Sequence, residues 1–418
     1  MTAPAAAASG TTTRLVGLDL ARAVALIGMI AVHVVPATTS AAGSADTVVH
    51  PLHLVFGGRS SALFAVLAGV ALALTSGRAT PPTGDRLAAA RRTVVARAGV
   101  VAVVGLVLGM LGSGVAVILV NYALLFVVAL PWLGVRWRAL AWWAAGWLVV
   151  SPVVSHLVRG EVGPGPGPVP SWISLFQPVT FVRDLVLTGY YPVLTWTGYL
   201  LVGLALGRSP LLQRSGAGAG AGVLLAGGGA VLAGASQVVS TLLLDTAGGL
   251  AHLEIPVGSP IFGTPIDVVL QTSAYGTTPT TSWWWLVSSG PHSGTPLDLL
   301  HTTGTALLVI GLCLALVAAV AGTPVLRATI TPLAAAGAMT LTLYTGHVVT
   351  LAATRTGDRD VGTFGLHVLV AVAFATAWRA VAAATDQRGR GPLESMTALA
   401  ADATRGNPVG PADDPTRR

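Results

Sequence analysis

The sequence predicts an all-α membrane protein, a polytopic bundle of about ten transmembrane helices with both termini in the cytoplasm. Three observations predict this fold class. Hydrophobic residues make up 53% of the 418 residues and charged residues only 9%, whereas soluble globular domains carry ~25% charged residues. The apolar residues are gathered into runs close to the ~20 residues that cross a bilayer. Arginines cluster in alternate connections between those runs, as expected of cytoplasmic loops.

Ten apolar runs are candidates for membrane spans, in chain order at residues 15–36, 54–76, 93–112, 114–134, 137–158, 186–206, 217–240, 302–321, 329–352 and 361–383. The connections after the third and fourth runs are so short that the runs they join must form antiparallel hairpins. The seventh run is rich in glycine, which lets helices approach closely inside a membrane.

The arginines orient this bundle. Nine of them occur after the even-numbered runs, at Arg78, Arg86, Arg91, Arg92, Arg136, Arg138, Arg208, Arg214 and Arg327. The exceptions are Arg59 at the outer start of the second run and Arg159, Arg183, Arg355 and Arg359, each with an acidic residue nearby. Residues 37–53 and residues 241–301 contain no arginine. Since positively charged loops stay in the cytoplasm, the even-numbered connections and both termini are expected there.

We expect three parts along the chain. Residues 1–14 form a short cytoplasmic segment, and residues 15–384 form the transmembrane domain, with residues 241–301 as a long outer connection. Residues 385–418 form a cytoplasmic tail that we predict to be disordered, because it is polar and holds Pro and Gly. A cleaved signal peptide is the alternative interpretation of the first run, but the charges within that run argue against it.

Charge and cysteine content restrict the partners. The net charge of +7 is spread over the chain without a basic patch among aromatic residues, so we expect no nucleic-acid partner. The single cysteine, Cys313, lies in an apolar run and excludes an intrachain disulfide. The lipid bilayer is the expected partner and the plasma membrane the expected location, and a homo-oligomer is compatible with the sequence.

Under this topology every histidine lies in an outer connection or in the outer half of a span. The nine are His33, His50, His53, His156, His252, His292, His301, His347 and His367. An imidazole is the side chain best suited to act as a general base near neutral pH. We therefore expect any chemistry at the outer side.

The first span carries three ionisable residues on one helical face. Asp19, Arg22 and His33 lie within about 60° of one another at 100° per residue, and Arg22 and His33 are ~16 Å apart along the axis. Ionisable groups are costly in lipid, so this face should point into the bundle. It either fixes helix packing through an Asp19–Arg22 pair or forms a polar track toward the outer side.

Other outer residues are candidates for an acid–base or binding role. Asp298 and His301 are i, i+3 neighbours, so the carboxylate either orients the imidazole or caps the start of a helix. Residues expected to contact a substrate are Arg59, Tyr191, Trp284, His292, Tyr344 and His347. Trp284 belongs to a run of three tryptophans that either anchors the chain at the membrane interface or stacks on a ligand. No cysteine pair or HExxH spacing supports a metal site.

A resemblance to a known family begins in the first span, which opens with Arg14-Leu-Val-Gly-Leu-Asp19-Leu-Ala-Arg22-Ala-Val-Ala-Leu-Ile-Gly-Met-Ile. This stretch resembles the start of the heparan-alpha-glucosaminide N-acetyltransferase catalytic domain, and its LDxxR pattern is similar to that of the wider transmembrane acyltransferase superfamily. Residues 52–69 resemble the second span of that family. A later span is similar to Ile118-Leu-Val-Asn-Tyr122-Ala-Leu, and residues 339–344 resemble the C-terminal part of related bacterial inner-membrane proteins.

The resemblance implies transfer of an acyl group, expected to be acetyl, from cytosolic acyl-CoA to an amine or hydroxyl of a glycan or lipid on the outer side. It implies a catalytic histidine in the first non-cytoplasmic loop, where His50 takes the comparable place. His53 and His33 are the alternatives, with Asp298 and His301 as further candidates.

The donor is expected near the cytoplasmic ends of the first and third spans. Guanidinium groups bind phosphates well, and the residues expected there are Arg14, Asp19, Arg22, Arg92 and Arg97. A transporter or flippase that uses the same polar track is the alternative function, although the absence of clear inverted hydropathy repeats argues against it.

Overall fold

The computed structural model describes residues 15–40, 47–162, 169–213, 219–354, 357, 359–385 and 389–404. Within these residues the regular structure is almost entirely helical, which confirms the predicted all-α class. The exception is a short antiparallel hairpin of β1 (Thr38–Ser40) and β2 (Thr47–Val49) after the first helix.

The α-helices follow one another along the chain as α1 Val16–Val34, α2 Pro51–Phe56, α3 Arg59–Thr75, α4 Gly84–Gly109, α5 Leu119–Val128, α6 Trp137–Val162, α7 Pro178–Arg183, α8 Val193–Arg208, α9 Pro210–Gln213, α10 Ala219–Thr241, α11 Ile266–Gln271, α12 Pro296–Ala319, α13 Pro324–Gly337, α14 Thr340–Ala353, α15 Val361–Ala384 and α16 Pro392–Ala403. Short 3-10 helices lie at Leu130–Gly134, Ile173–Phe176, Gly249–His252 and Trp283–Val287, and π-helical turns at Asp184–Thr188 and Leu242–Thr246.

The helices confirm a multi-pass membrane protein. In the described residues, seven helices are long and apolar enough to cross a bilayer, or nine if each of two bent pairs counts as one span. The bent pairs are Pro178–Thr188 with Val193–Arg208 (52°) and Pro324–Gly337 with Thr340–Ala353 (70°). These breaks interrupt two of the runs that the sequence predicts as continuous spans.

The fourth predicted span is also not a long helix. Residues 114–134 hold only α5 and the 3-10 helix Leu130–Gly134, which starts with a proline at its first turn. Proline cannot donate the backbone hydrogen bond that would continue an α-helix, so α5 ends after ten residues.

Glycines bring α10 and α12 into close contact. Gly222 and Gly229 of α10 lie against Gly304 and Gly311 of α12, and a Cβ atom on Gly229 would lie 2.5 Å from the carbonyl oxygen of Gly304. The glycine-rich seventh run therefore packs as its composition predicts.

Arg208, at the end of α8, joins several elements at one end of the bundle. It is 1% exposed and donates to the carbonyls of Leu133 and Val135 and to the hydroxyl of Ser76. We call this the Arg208 end. The opposite end, where α1, α4 and α14 finish and α3, α12 and α15 begin, is called the cavity end.

The long connection between α10 and α12 folds back on itself at the cavity end. Its apolar side chains form a small separate core around Leu244, Leu253, Ile261 and Val269, closed by Trp285, which is 0% exposed.

The predicted disordered tail is corrected for one segment, because residues 392–403 form α16. The carboxylate of Glu394 accepts hydrogen bonds from the backbone N–H groups of Leu341 and Thr342 and from the Thr342 hydroxyl. The first turn of α14 has unpaired N–H groups, as every helix start has, and an acidic side chain there is stabilising. The polar composition of the tail did not indicate this contact. Residues 405–418 lie outside the described part of the chain.

Candidate functional site

A cavity of about 820 Å³ opens at the cavity end of the bundle. Its walls come from the end of α1, the α2–α3 junction, the end of α4, the start of α5 and the connections before α8 and α12. The polar residues on these walls include His33, His53, Asn121, Tyr122, Asp184, Tyr190, Tyr191, Tyr275, His292, Tyr344 and Arg359. Five of these, His33, His53, Tyr191, His292 and Tyr344, are among the residues that the sequence singles out.

His53 lies on α2 and lines the cavity. Its Nε2 is 2.8 Å from the carbonyl oxygen of Val35. Because a carbonyl oxygen only accepts, Nε2 must carry the proton, and the neutral ring then keeps a lone pair on Nδ1. His53 is therefore a base whose tautomer is fixed by the backbone.

His50 does not line the cavity. It stands at the N-cap of α2, where its Nδ1 accepts a hydrogen bond of 3.2 Å from the N–H of Leu52. That arrangement stabilises the start of a helix. The structure thus brings the alternative from the same loop, His53, into the cavity.

His33 reaches the cavity from the last turn of α1 and connects to two further histidines. Its Nδ1 is 3.3 Å from Nε2 of His347 on α14. Nδ1 of His347 is in turn 2.9 Å from Nδ1 of His367 on α15. His347, expected to contact a substrate, therefore lies behind His33 and outside the cavity wall.

His292 is held among aromatic rings in a backbone conformation that is uncommon for residues other than glycine. Its φ is +52°, its ring centroid is 4.7 Å from that of Tyr190, and it stacks on Trp196 at 6.4 Å. Burial, and to a lesser degree the neighbouring His33, lowers the pKa of His292 to about 3, so the ring is neutral at pH 7. Tyr275, with φ +53°, also lines the cavity. Such backbone strain clusters at functional sites.

Asp184 is a cavity residue that the sequence analysis missed. It is 7% exposed and begins the π-helical turn before α8. Its Oδ1 accepts from the Thr188 hydroxyl at 2.7 Å and from the Arg183 guanidinium at 3.0 Å. An acidic residue at the edge of an apolar run was the available signal, but its neighbour Arg183 suggested an ordinary surface pair.

Asn121 and Tyr122 are also cavity residues that sequence reasoning did not assign. Asn121 donates to the carbonyl of Tyr191 at 2.9 Å, and Tyr122 donates to the carbonyl of Ser61 at 3.0 Å. Both lie in the stretch Ile118–Leu124 that resembles the family. The sequence therefore showed two polar residues there, but not that they line the cavity.

Asp298 lies in the first turn of α12 but does not cap it, because the N-cap is Thr295, whose hydroxyl accepts a hydrogen bond of 3.1 Å from the N–H of Asp298. The Asp298 Oδ2 accepts from the N–H groups of Ser293 and Gly294 at 3.1 and 3.0 Å, so the carboxylate holds the connection that leads into α12, and neither of the two predicted roles is confirmed. Nε2 of His301 instead accepts from Nε of Arg59 at 3.2 Å, and its Nδ1 lies 3.0 Å from the carbonyl of Ala233. None of these three ionisable residues is among those that line the cavity.

Trp284 is likewise outside the cavity wall. Its ring is stacked on that of His252 with centroids 5.8 Å apart, next to the buried Trp285. The tryptophan run therefore contributes to the folded connection between α10 and α12.

Of the residues expected to hold the donor, the four that the structure describes lie outside the cavity wall. Asp19 is 5% exposed and pairs with Arg22 at 2.8 Å, so the predicted ionisable face of α1 is buried in the bundle. Arg92 is exposed and Arg97 partly buried on the first half of α4, while Arg14 lies outside the described residues. Among the residues that the structure describes, no group of three or more His, Cys, Asp or Glu is placed to hold a metal ion.

Comparison with known proteins gives one match. The sequence profile of the family described as heparan-alpha-glucosaminide N-acetyltransferase, catalytic, matches residues 14–222, which is half of the chain. This half contains the cavity residues His33, His53, Asn121 and Asp184. No curated protein and no solved structure matches the chain.

Proposed function

The chain belongs to the heparan-alpha-glucosaminide N-acetyltransferase catalytic family, and on this premise we propose that it transfers acetyl groups across a membrane. The donor is acetyl-CoA from the cytoplasm, and the acceptor is an amine or hydroxyl of a glycan or lipid on the outer side. One observation carries the proposal: the 820 Å³ cavity lined by the imidazoles of His33, His53 and His292, two of which lie in the half of the chain that matches the family.

His53 is the proposed general base, in place of His50. It belongs to the loop in which the resemblance implies the catalytic histidine, and its Nδ1 lone pair is available. Nδ1 removes a proton from the acceptor as the acceptor nitrogen or oxygen attacks the thioester carbonyl. A C–N or C–O bond forms, the C–S bond breaks, and the coenzyme A thiolate is left to take up a proton.

We further propose that the chain crosses the membrane ten times with both termini in the cytoplasm. The short segment after α4 supports the tenth crossing. Ile118 and Tyr122 line the cavity, whereas the carbonyl of Leu133 accepts from Arg208 and that of Leu130 accepts from Arg91 at the other end of the bundle. Residues 119–134 thus extend from one end to the other despite the early stop of α5.

This topology assigns the Arg208 end to the cytoplasm, because the connections there are rich in arginine. The donor would approach from that end, with phosphates held by Arg14, Arg92 and Arg97 and with the Asp19–Arg22 pair at the entrance. The cavity end then faces the outer side in the plasma membrane.

The test uses purified protein in liposomes, radiolabelled acetyl-CoA, and a panel of amino sugars and amine-bearing lipids. His53→Ala should lower kcat by about 10²–10⁴-fold, the usual contribution of a positioned general base, with acetyl-CoA binding unchanged. His252→Ala, which removes an exposed imidazole that does not line the cavity, is the matched control and should retain parental kcat. His50→Ala is included as the rival variant.

Parental turnover in His53→Ala together with a large loss in His50→Ala would return the base to His50. Absence of acetyl transfer by the parent protein to every acceptor would contradict the enzyme, and acceptor movement across the bilayer would then favour the transporter.

A further inference from the structure

Three histidines from three different helices form a continuous chain that begins at the cavity. His33 lies on the cavity wall, His347 is 6% exposed in the interior, and His367 lies on α15 at the outside of the bundle. The two nitrogen–nitrogen distances are 3.3 and 2.9 Å, both within hydrogen-bonding range. The proposed transfer step uses none of these three histidines.

The ring orientations fit hydrogen bonding through the ring edges. The planes of His33 and His347 differ by 8°, and their centroids are 5.5 Å apart although the bonded nitrogens are 3.3 Å apart. The rings therefore meet edge to edge, in the direction of the nitrogen lone pairs. His347 and His367 meet at 84° with centroids 5.0 Å apart.

Both bonds can exist at once with all three rings neutral, because a neutral imidazole donates at one nitrogen and accepts at the other. With Nδ1 of His33 as donor, Nε2 of His347 accepts and its Nδ1 donates to Nδ1 of His367. This leaves the Nε2 of His33 unprotonated and Nε2 of His367 protonated. The three histidines can then take up a proton at Nε2 of His33.

We propose that His33, His347 and His367 form a proton relay that carries the acceptor's proton out of the cavity. This inference rests on the proposed acetyl transfer and concerns amine acceptors. An amine of pKa about 8 or above is mostly protonated at pH 7, so R–NH3⁺ and acetyl-CoA give the amide, coenzyme A thiol and one free proton. A hydroxyl acceptor releases no net proton.

Each transfer in the relay is balanced. The R–NH3⁺ group first gives one proton to Nε2 of His33, and Nδ1 of His53 takes the second as the amine attacks. The Nδ1 proton of His33 passes to Nε2 of His347, and the Nδ1 proton of His347 passes to Nδ1 of His367. His367 then releases its Nε2 proton to water. Each ring then regains its starting tautomer, either by rotation of the side chain or by exchange of protons.

The charges around the chain favour movement away from the cavity. Arg359 also lines the cavity, and its positive charge repels a proton held on His33. At the other end, His367 is partly exposed and lies six positions after Val361, about 9 Å along the helix axis. A side chain at that depth can reach the water of the headgroup region.

The experiment compares His367→Gln and His347→Gln with the control His252→Gln in the liposome assay. Glutamine keeps the polarity but cannot transfer a proton through its side chain. His367→Gln is the decisive variant, because only Ala375 and Ala382 of α15 are buried and the substitution should leave the fold intact. We expect kcat with amine acceptors to fall about 10-fold or more, below the 10²–10⁴-fold of direct proton transfer, with the acceptor KM unchanged.

Three further results are expected of a relay but not of a structural role. Added imidazole should restore part of the lost kcat in His367→Gln, and the solvent deuterium isotope effect should rise. Turnover with hydroxyl acceptors should stay at the parental value. An active parent with unchanged kcat and isotope effect in both relay variants would overturn the relay alone, whereas a parent without acetyl transfer would overturn the proposed function and the relay with it.

Discussion

At the residue scale, His292 makes stability depend on pH. Its pKa is lowered to about 3 by burial, whereas a histidine in the unfolded chain has a pKa of ~6.5. Between these values the unfolded chain binds a proton that the folded chain does not. Stability contributed by the neutral ring is therefore complete above pH ~6.5 and is lost progressively as the pH falls toward 3.

We predict that His292→Asn reduces this acid sensitivity. Asparagine tolerates the positive φ of this position and has no titrating group. The melting temperature of the parent should fall between pH 7 and pH 5 by more than that of the variant, measured by scanning fluorimetry in detergent. His252→Asn, at an exposed site, should melt with the parental pH profile, and an equal fall in all three proteins would contradict the assignment.

The histidines also show how far residue types alone can predict a site. Their common placement on one side followed from loop charges and spans, and the cavity gathers three of them. The choice between His50 and His53 depended on where α2 begins, since three positions along a helix start separate a capping side chain from one on the cavity wall. The place of Asp184 on the cavity wall depends on a π-helical turn, and no periodicity in the sequence indicates such a turn.

At the element scale, the sequence located the apolar runs but not their interruptions. Hydropathy is continuous across residues 329–352, yet the chain bends by 70° between α13 and α14. Gly337 packs there directly against the backbone of Asp19, and Glu394 from α16 pairs with the exposed start of α14. Both contacts are long-range, so a local reading of the sequence does not contain them.

Close packing of α10 on α12 gives an element-scale prediction. Gly229→Val should destabilise the protein by about 1–3 kcal/mol, the usual cost of overpacking, because a Cβ on Gly229 would lie 2.5 Å from the carbonyl oxygen of Gly304. Gly227→Val and Gly228→Val are matched controls on the same helix, since nothing lies within 4 Å of a Cβ at either position. Chemical unfolding in mixed micelles measures the difference; equal destabilisation at all three positions would attribute the effect to lost glycine flexibility instead.

At the scale of the whole molecule, the two ends of the bundle have different chemistry. The cavity end holds the imidazoles of the site, and the Arg208 end holds the arginine-rich connections. An acetyl group supplied from one compartment can meet an acceptor from the other only if these ends face opposite sides of the membrane. The proposed function therefore depends on the topology, and above all on whether residues 119–134 cross.

We predict that single cysteines at Ala79, Met110, Arg136 and Val257, in a Cys313→Ala background, label in the order inside, outside, inside, outside. All four sites are exposed, Met110 at 54% and Val257 at 83%, so a membrane-impermeant maleimide can reach each of them from its own side. If residues 119–134 do not cross, Met110 and Arg136 must label from the same side, because that segment is the one candidate crossing between these two sites. Permeabilised cells, in which all four sites should react, are the control for accessibility. Labelling of Met110 and Arg136 from one side would leave nine crossings with the termini on opposite sides, and the histidines of the second half would then no longer share a compartment with His53.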